Sequence, residues 1–154
     1  MAISPYFARL RERIGNDLLL IPTVAVLPID DVRRVLLVRH VHSGQWATIG
    51  GAIEPDEAPA EAAVREAREE AGVELELTGL IAALGGPEYR LTYPNGDECA
   101  CVATVYAARV VGGRAAPDFD ETSEVGWFSQ QEIARLDVGE LNRALLATVV
   151  PLLS

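Results

Sequence analysis

The chain has 154 residues, 13 of them Lys or Arg and 23 Asp or Glu, for a formal net charge of −10. That is the size of a common single domain, and with 49% apolar residues it can bury one core, so one domain is expected over residues 1–154. The acidic balance disfavours unspecific binding to nucleic acid or to an anionic membrane, but not a phosphorylated substrate held through cations.

No apolar run approaches the ~20 residues of a membrane span. Residues 1–13 lack the apolar core of a secretory leader. Cys99 and Cys101, two apart on an expected strand, cannot easily bridge to each other and read as reduced thiols. A cytoplasmic protein is expected, with neither a nucleic-acid nor a membrane partner.

In chain order, residues 4–14 predict a short amphipathic helix, opened by Ser4 and Pro5 and stopped by Gly15. T-V-A-V-L at 23–27 predicts a buried strand, and V-L-L-V-R at the end of 32–39 a second. The turn at Asp30 and Asp31 suggests that the two form a hairpin. Residues 40–46 predict a polar loop over the site, and 46–53 a short glycine-containing strand. Residues 59–71 predict a helix that ends at Gly72. A long strand follows over 73–84, until Gly85, Gly86 and Pro87 break it. The turn P-N-G-D separates strands at 88–93 and 98–111. A loop over 112–122 leads to a last strand at 124–128. Ser129 and Glu132 fit a capping box that opens a helix, and a further helix covers 138–149. Strands and helices do not alternate regularly, so the expectation is a mixed sheet with helices on both faces.

The chemistry concentrates in 50–73, G-G-A-I-E-P-D-E-A-P-A-E-A-A-V-R-E-A-R-E-E-A-G-V. On a helix, Glu66, Glu69 and Glu70 fall at i, i+3 and i+4, within one turn of each other. Such carboxylates repel, and a divalent cation with oxygen ligands offsets the repulsion. Arg65 is four residues before Glu69 and can hold that carboxylate in one rotamer. Glu57 precedes the helix, at the favourable end of its dipole. Gly50 and Gly51 allow close backbone approach, and a carbonyl there can serve a metal. Ala60, Ala63, Val64, Ala67 and Ala71 form the stripe expected to face the sheet.

Gly51, Glu57, Arg65-Glu66, Ala67, Glu69-Glu70, Gly72 and Val73 together fill the pattern G-x5-E-x7-R-E-U-x-E-E-x-G-U, where U is aliphatic. The stretch resembles the Nudix box. The flanks V-L-L-V-R, W-A-T-I-G-G and E-V-G-W-F-S also resemble that family. The resemblance implies an α/β fold, an α/β/α sandwich around a mixed β-sheet. It implies hydrolysis of the pyrophosphate linkage of a nucleoside diphosphate joined to a further group X, with Mg²⁺ or Mn²⁺ required. Carried over by position, Glu66, Glu69 and Glu70 would bind metal with the Gly50 carbonyl, Arg65 would orient Glu69, Glu57 would support the site, and one glutamate would double as the base. A homodimer is a family-level expectation.

Many members use a further acid from a distal loop. Glu121 in D-F-D-E-T-S-E is the first candidate, and Glu98 the second. Arg39, Trp46 and Tyr89 are the candidate substrate contacts, while His40 and His42 read as loop caps. For X, Pro87 resembles a feature of ADP-ribose enzymes and Tyr89 one of dinucleoside-polyphosphate enzymes. A nucleotide sugar, an ADP-ribose-like compound and a nucleoside triphosphate all stay open. Two positions depart from the family's usual pattern: Thr48-Ile49 stands where Leu-Pro is frequent, and Ala58 where Ser or Thr caps the helix. A non-catalytic nucleotide-sensing module is the alternative reading, opposed by the complete box. An isoprenoid-diphosphate isomerase lacks its cysteine motif here.

Overall fold

The structure is a computed structural model and describes residues 3–153. Met1, Ala2 and Ser154, the ends of the expected domain, lie outside the described residues. Helix α1 (Pro5–Ile14) starts as expected: Ser4 Oγ accepts from the Phe7 N–H, and Pro5 takes the first position, where no donor is needed. It stops at Gly15, with φ 62°.

The strands are β1 (Leu19–Pro28), β2 (Val35–His40), β3 (Trp46–Ala47), β4 (Ile49–Ala52), β5 (Val73–Leu84), β6 (Arg90–Thr92), β7 (Glu98–Gly113) and β8 (Thr122–Phe128). They form two sheets. One has the order β4-β1-β7-β5 with β6 also on β7, and the other the order β3-β2-β8. β1 runs parallel to β7 and antiparallel to β4, so the first sheet is mixed.

The expected β1–β2 hairpin does not form. Both edges of β1 are taken by β4 and β7, and β2 pairs instead with β3 and β8. All that remains is a single bridge, Ile29 to Val35. V-L-L-V at 35–38 is buried on both faces, as a central strand must be. The expected strand over 46–53 is likewise divided between the sheets. The break falls at Thr48, whose N–H and hydroxyl both turn to Asn142 Oδ1 (3.0 and 3.2 Å) rather than to a neighbouring strand.

Helix α2 (Pro59–Ala71) packs on one side of the sheets against Val24, Val26, Leu36, Val38 and Ile49. Helices α3 (Gln130–Ile133) and α4 (Glu140–Val149) close the other side over Ala25, Leu27, Leu37 and Val105. Alternate residues of β1 thus feed opposite cores, as strand pleating requires. The result is the expected layered α/β arrangement. Cys99 and Cys101 are free thiols. Among the described residues no helix is long and apolar enough to cross a membrane.

Candidate active site

Helix α2 carries the acids, and its boundaries match the sequence reading. Ala58 holds the extended N-cap geometry without a side-chain acceptor. Part of the loss is recovered by Glu61, whose Oε2 accepts from the Ala58 N–H at 3.0 Å. Gly72 ends the helix at φ 69°. The buried stripe is Ala62, Ala63, Ala67 and Ala71, so the helix is rotated from the expected stripe, with Ala60 and Val64 only half-buried. This rotation takes Glu66 and Glu70 inward, to 5% and 2% exposure, while the Glu69 side chain stays 56% exposed at the rim.

The paired glycines follow from that burial. A Cβ on Gly51 would lie 2.3 Å from Glu66 Oε1, and one on Gly50 would lie 2.2 Å from the Val24 carbonyl oxygen. Any side chain at either position would therefore displace the carboxylate or strand β1. The Gly50 N–H donates to Glu70 Oε1 at 2.9 Å.

Arg65 gathers the cluster. Its Nε and Nη2 hold the two Glu57 oxygens at 2.7 and 3.0 Å, a bidentate pair. Its Nη1 meets Glu66 Oε1 at 2.9 Å and Glu69 Oε2 at 3.2 Å, and Nη2 also reaches the Ala52 carbonyl. Glu57 is held below the usual carboxylate range by the Arg65 hydrogen bonds. Burial pushes Glu66 up to about 7, against the pull of Arg65, and the charges of Glu69 and Glu121 add to the rise. Burial also raises Glu70 well above its ordinary value, helped by Glu66 and Glu121 and opposed by the Gly50 N–H. Glu57, Glu66 and Glu69 thus share one arginine, while the buried Glu70 has the Gly50 N–H instead. As they stand, no three acidic, histidine or cysteine groups among the described residues converge as a metal cluster. The donor chemistry, carboxylate and peptide oxygen only, suits a hard divalent cation.

A second segment joins the helix through Thr122. Its hydroxyl, fully buried, donates to the Glu70 carbonyl at 2.8 Å. Asp118 Oδ1 accepts the N–H groups of Asp120, Glu121 and Thr122 at 2.9–3.0 Å, closing a tight loop. The Val41 N–H donates to the Glu121 carbonyl at 2.9 Å. Glu121 thereby enters a cavity of about 880 Å³ whose walls also include Arg65, Glu66 and Glu69.

The NUDIX domain family model matches residues 19–149. The chain belongs to the Nudix family. It is 31% identical over 108 residues to the nucleoside triphosphatase NudI of Enterobacter sp. (strain 638), covering 68% of this chain and 76% of the relative. To a putative 8-oxo-dGTP diphosphatase of Bacillus subtilis (strain 168) it is 30% identical, covering 68% of this chain and 63% of the relative. The fold superposes on a MutT NUDIX hydrolase from Burkholderia pseudomallei with a TM-score of 0.69 at 24% identity, covering 85% and 98% of the two chains. An ADP-ribose pyrophosphatase from Streptococcus suis 89-1591 gives a TM-score of 0.68 at 22% identity, covering 86% and 90%. These likenesses make the protein a Nudix pyrophosphohydrolase, an enzyme class that generally depends on a divalent metal.

Within this Nudix hydrolase the other sequence-derived candidates fall away from the cavity. Tyr89 is 4% exposed and belongs to the core beneath α4, with Leu145, Leu146 and Val149. A 3-10 turn (Pro87–Tyr89), entered through Gly86 at φ 103°, rolls its ring inward where the sequence suggested a strand. Trp46 packs edge-to-face on Phe128, with centroids 4.7 Å apart, and also outside the cavity. Arg39 lies outside the cavity walls and joins its loop to β8, donating from Nε to the Gly44 carbonyl (2.7 Å) and from Nη1 to Glu124 (2.8 Å). Glu98 is exposed, and its backbone is what is engaged: its carbonyl accepts from Arg11 and its N–H donates to the Asn16 carbonyl. His40 is half-buried, and burial lowers its pKa. Sequence reasoning missed Phe7, Arg11, Tyr93 and Asp97, which line the same cavity as the box acids. The signals near them are the amphipathic pattern of residues 4–14 and the P-N-G-D turn, which read as a helix and a turn rather than as a site.

Proposed function

We propose that this Nudix hydrolase cleaves the pyrophosphate linkage of a nucleoside triphosphate, with a nucleotide sugar or an ADP-ribose-like compound as the next substrates to test. The observation that carries the reading is the cavity in which Glu66 and Glu69 of the box meet Glu121 of a distant segment. Mg²⁺ or Mn²⁺ would be held by Glu66, Glu69 and Glu70 with the Gly50 carbonyl. When bound, the ion supplies charge neutralisation on phosphoryl oxygens and a more acidic water.

The chain's own groups divide the remaining work. Arg65 fixes the rotamers of Glu57, Glu66 and Glu69 through four hydrogen bonds. Releasing Glu66 and Glu69 from Arg65 frees oxygens for the cation. Glu70, behind the cavity wall, anchors the Gly50 peptide. Glu121 takes the proton of the attacking water across the cavity from the box acids. The relatives' printed activities, nucleoside triphosphatase and 8-oxo-dGTP diphosphatase, support putting triphosphates first.

The test is a nucleotide panel with Mg²⁺. Release of phosphate, pyrophosphate or a nucleoside monophosphate is expected from at least one triphosphate. Glu69→Gln and Glu70→Gln should each lower kcat by roughly 10²–10⁴-fold with the fold retained. A wild-type protein that bound nucleotide tightly but released no product with either metal would overturn the reading.

A further inference from the structure

The cavity has two chemically different ends, and the Nudix box accounts for only one. The other is built by α1, which precedes the family-matched residues 19–149. Phe7 of α1, Leu19 and Ile21 of β1, and Cys99 of β7 wall it, and Tyr93, Asn95 and Asp97 of the β6–β7 turn complete it. α1 is fastened there. Arg11 donates from Nη1 to the carbonyls of Gly15 (3.0 Å) and Asp17 (2.7 Å), and from Nη2 to that of Glu98 (2.8 Å). Its Nε lies 3.6 Å from Asp97 Oδ2, and its side chain is only 11% exposed. The cationic charge at this end is thus consumed in joining α1 to β7 and to the turn, and is not offered to a phosphate. Asp97 is itself oriented: Asn95 Nδ2 donates to its Oδ2 at 3.2 Å, and its N–H donates to Asn95 Oδ1 at 3.0 Å.

We infer that this α1 compartment seats the base of the substrate nucleotide, and that Asp97 is a specificity-determining residue accepting an N–H from the base edge. The inference rests on the nucleotide pyrophosphohydrolase reading above. Three occupants compete for the space. A phosphate is repelled by Asp97 and meets a guanidinium already satisfied. A hydroxyl-rich sugar would leave polar groups without partners against Phe7, Leu19 and Ile21. A flat base offers two apolar faces to those walls and a polar edge to Asp97. Burial pushes the Tyr93 phenol up to about 12, so at neutral pH it presents an uncharged aromatic ring. A cavity of about 880 Å³ lies within the usual range for a small-molecule site. An ionised carboxylate only accepts hydrogen bonds. Asp97 therefore favours bases with an exocyclic amine and disfavours uracil, whose one N–H is flanked by carbonyl oxygens.

Neutral nucleosides test this without metal or turnover. Guanosine, adenosine, cytidine, uridine and ribose are titrated into ¹⁵N-labelled wild-type protein. At least one amine-bearing nucleoside should bind about tenfold or more tighter than uridine and ribose, shifting the amides of α1 and of residues 93–97. Asp97→Asn should collapse the preference over uridine. Because that change also loosens Arg11, Tyr93→Ala, at a residue 36% exposed, is the second variant. It should weaken the bound nucleosides several-fold and leave ribose unchanged. The inference is overturned if all five ligands behave alike, if none binds, if the shifts map elsewhere, or if neither variant alters the ratios. The hydrolase reading is judged separately, by product release in the triphosphate panel.

Discussion

At the α2 end of the cavity, Arg65, Glu66 and Glu69 come from adjacent turns of one helix and are tied together by charge. At the α1 end, Phe7, Tyr93, Asp97 and Cys99 come from stretches far apart in the chain and are tied together mostly by apolar contact and one arginine. The first arrangement concentrates like charge, offset by Arg65. The second excludes net charge, because Arg11 and Asp97 offset one another. Fixed chemistry needs fixed spacing, and a helix provides it within a few residues. Selectivity needs a shaped wall, and a wall can be assembled from whichever segments the fold brings together. The α1 end can therefore change while the α2 end stays the same.

Replacing Arg65 should strain that contrast most. Arg65→Ala leaves Glu57 and Glu66 without their cationic partner. It should lower turnover by roughly 10²-fold and cost about 2 kcal/mol of stability, less than a fully buried pair because the arginine is partly solvated. Mg²⁺ should restore part of the stability, as read from thermal unfolding with and without the ion.

The metal-free protein should also respond to pH with a definite sign. Glu66 is held up to about 7 in the folded state by burial, and Glu70 is raised as well. The folded state then binds more protons than the unfolded chain between about pH 4.5 and 7, so stability should fall as pH rises through that window, by about 3 kcal/mol for Glu66 alone. Below it Glu57 and Asp118, whose values are lowered, reverse the trend as they protonate. Urea unfolding across pH 4–8 checks this, and Mg²⁺ should flatten the slope between pH 4.5 and 7.

Thr122→Val should act next. It removes the buried hydroxyl from the Glu70 carbonyl, costs about 1–2 kcal/mol, and should lower kcat several-fold with KM nearly unchanged. Thr122→Ser should recover most of the activity, which a loss of packing alone would not explain. The smallest effect belongs to Ala58→Ser. The N-cap backbone is already extended and lacks only an acceptor, so thermal unfolding should show a gain of about 0.5–1 kcal/mol at unchanged activity.

Much of the α2 end was legible because it is local. The limits of α2, the Gly72 stop and the spacing of Glu57, Arg65, Glu66, Glu69 and Glu70 are properties of contiguous residues. So are the Ser4 cap and Gly15 stop of α1. The placements that no local pattern foretold are non-local. Tyr89 read as a substrate contact, but a glycine-led 3-10 turn sends it under α4. Arg39 and Trp46 read as contacts from their position beside the box, yet their partners, Glu124 and Phe128, lie on β8. Even the rotation of α2 escaped the alanine pattern, since Ala60 and Ala62 are equally small and only the sheet chooses between them.

By itself, then, the sequence determined the limits of the box helix and the spacing of its acids, because helical spacing and capping are set within a few residues. Tertiary structure decided three further features: β1 and β2 part into separate sheets, Thr122 ties the Asp118 loop to the end of α2, and α1 faces the 93–97 turn across one cavity. Each of these depends on which edges and faces remain available after distant strands have paired, and no local pattern in the chain encodes that.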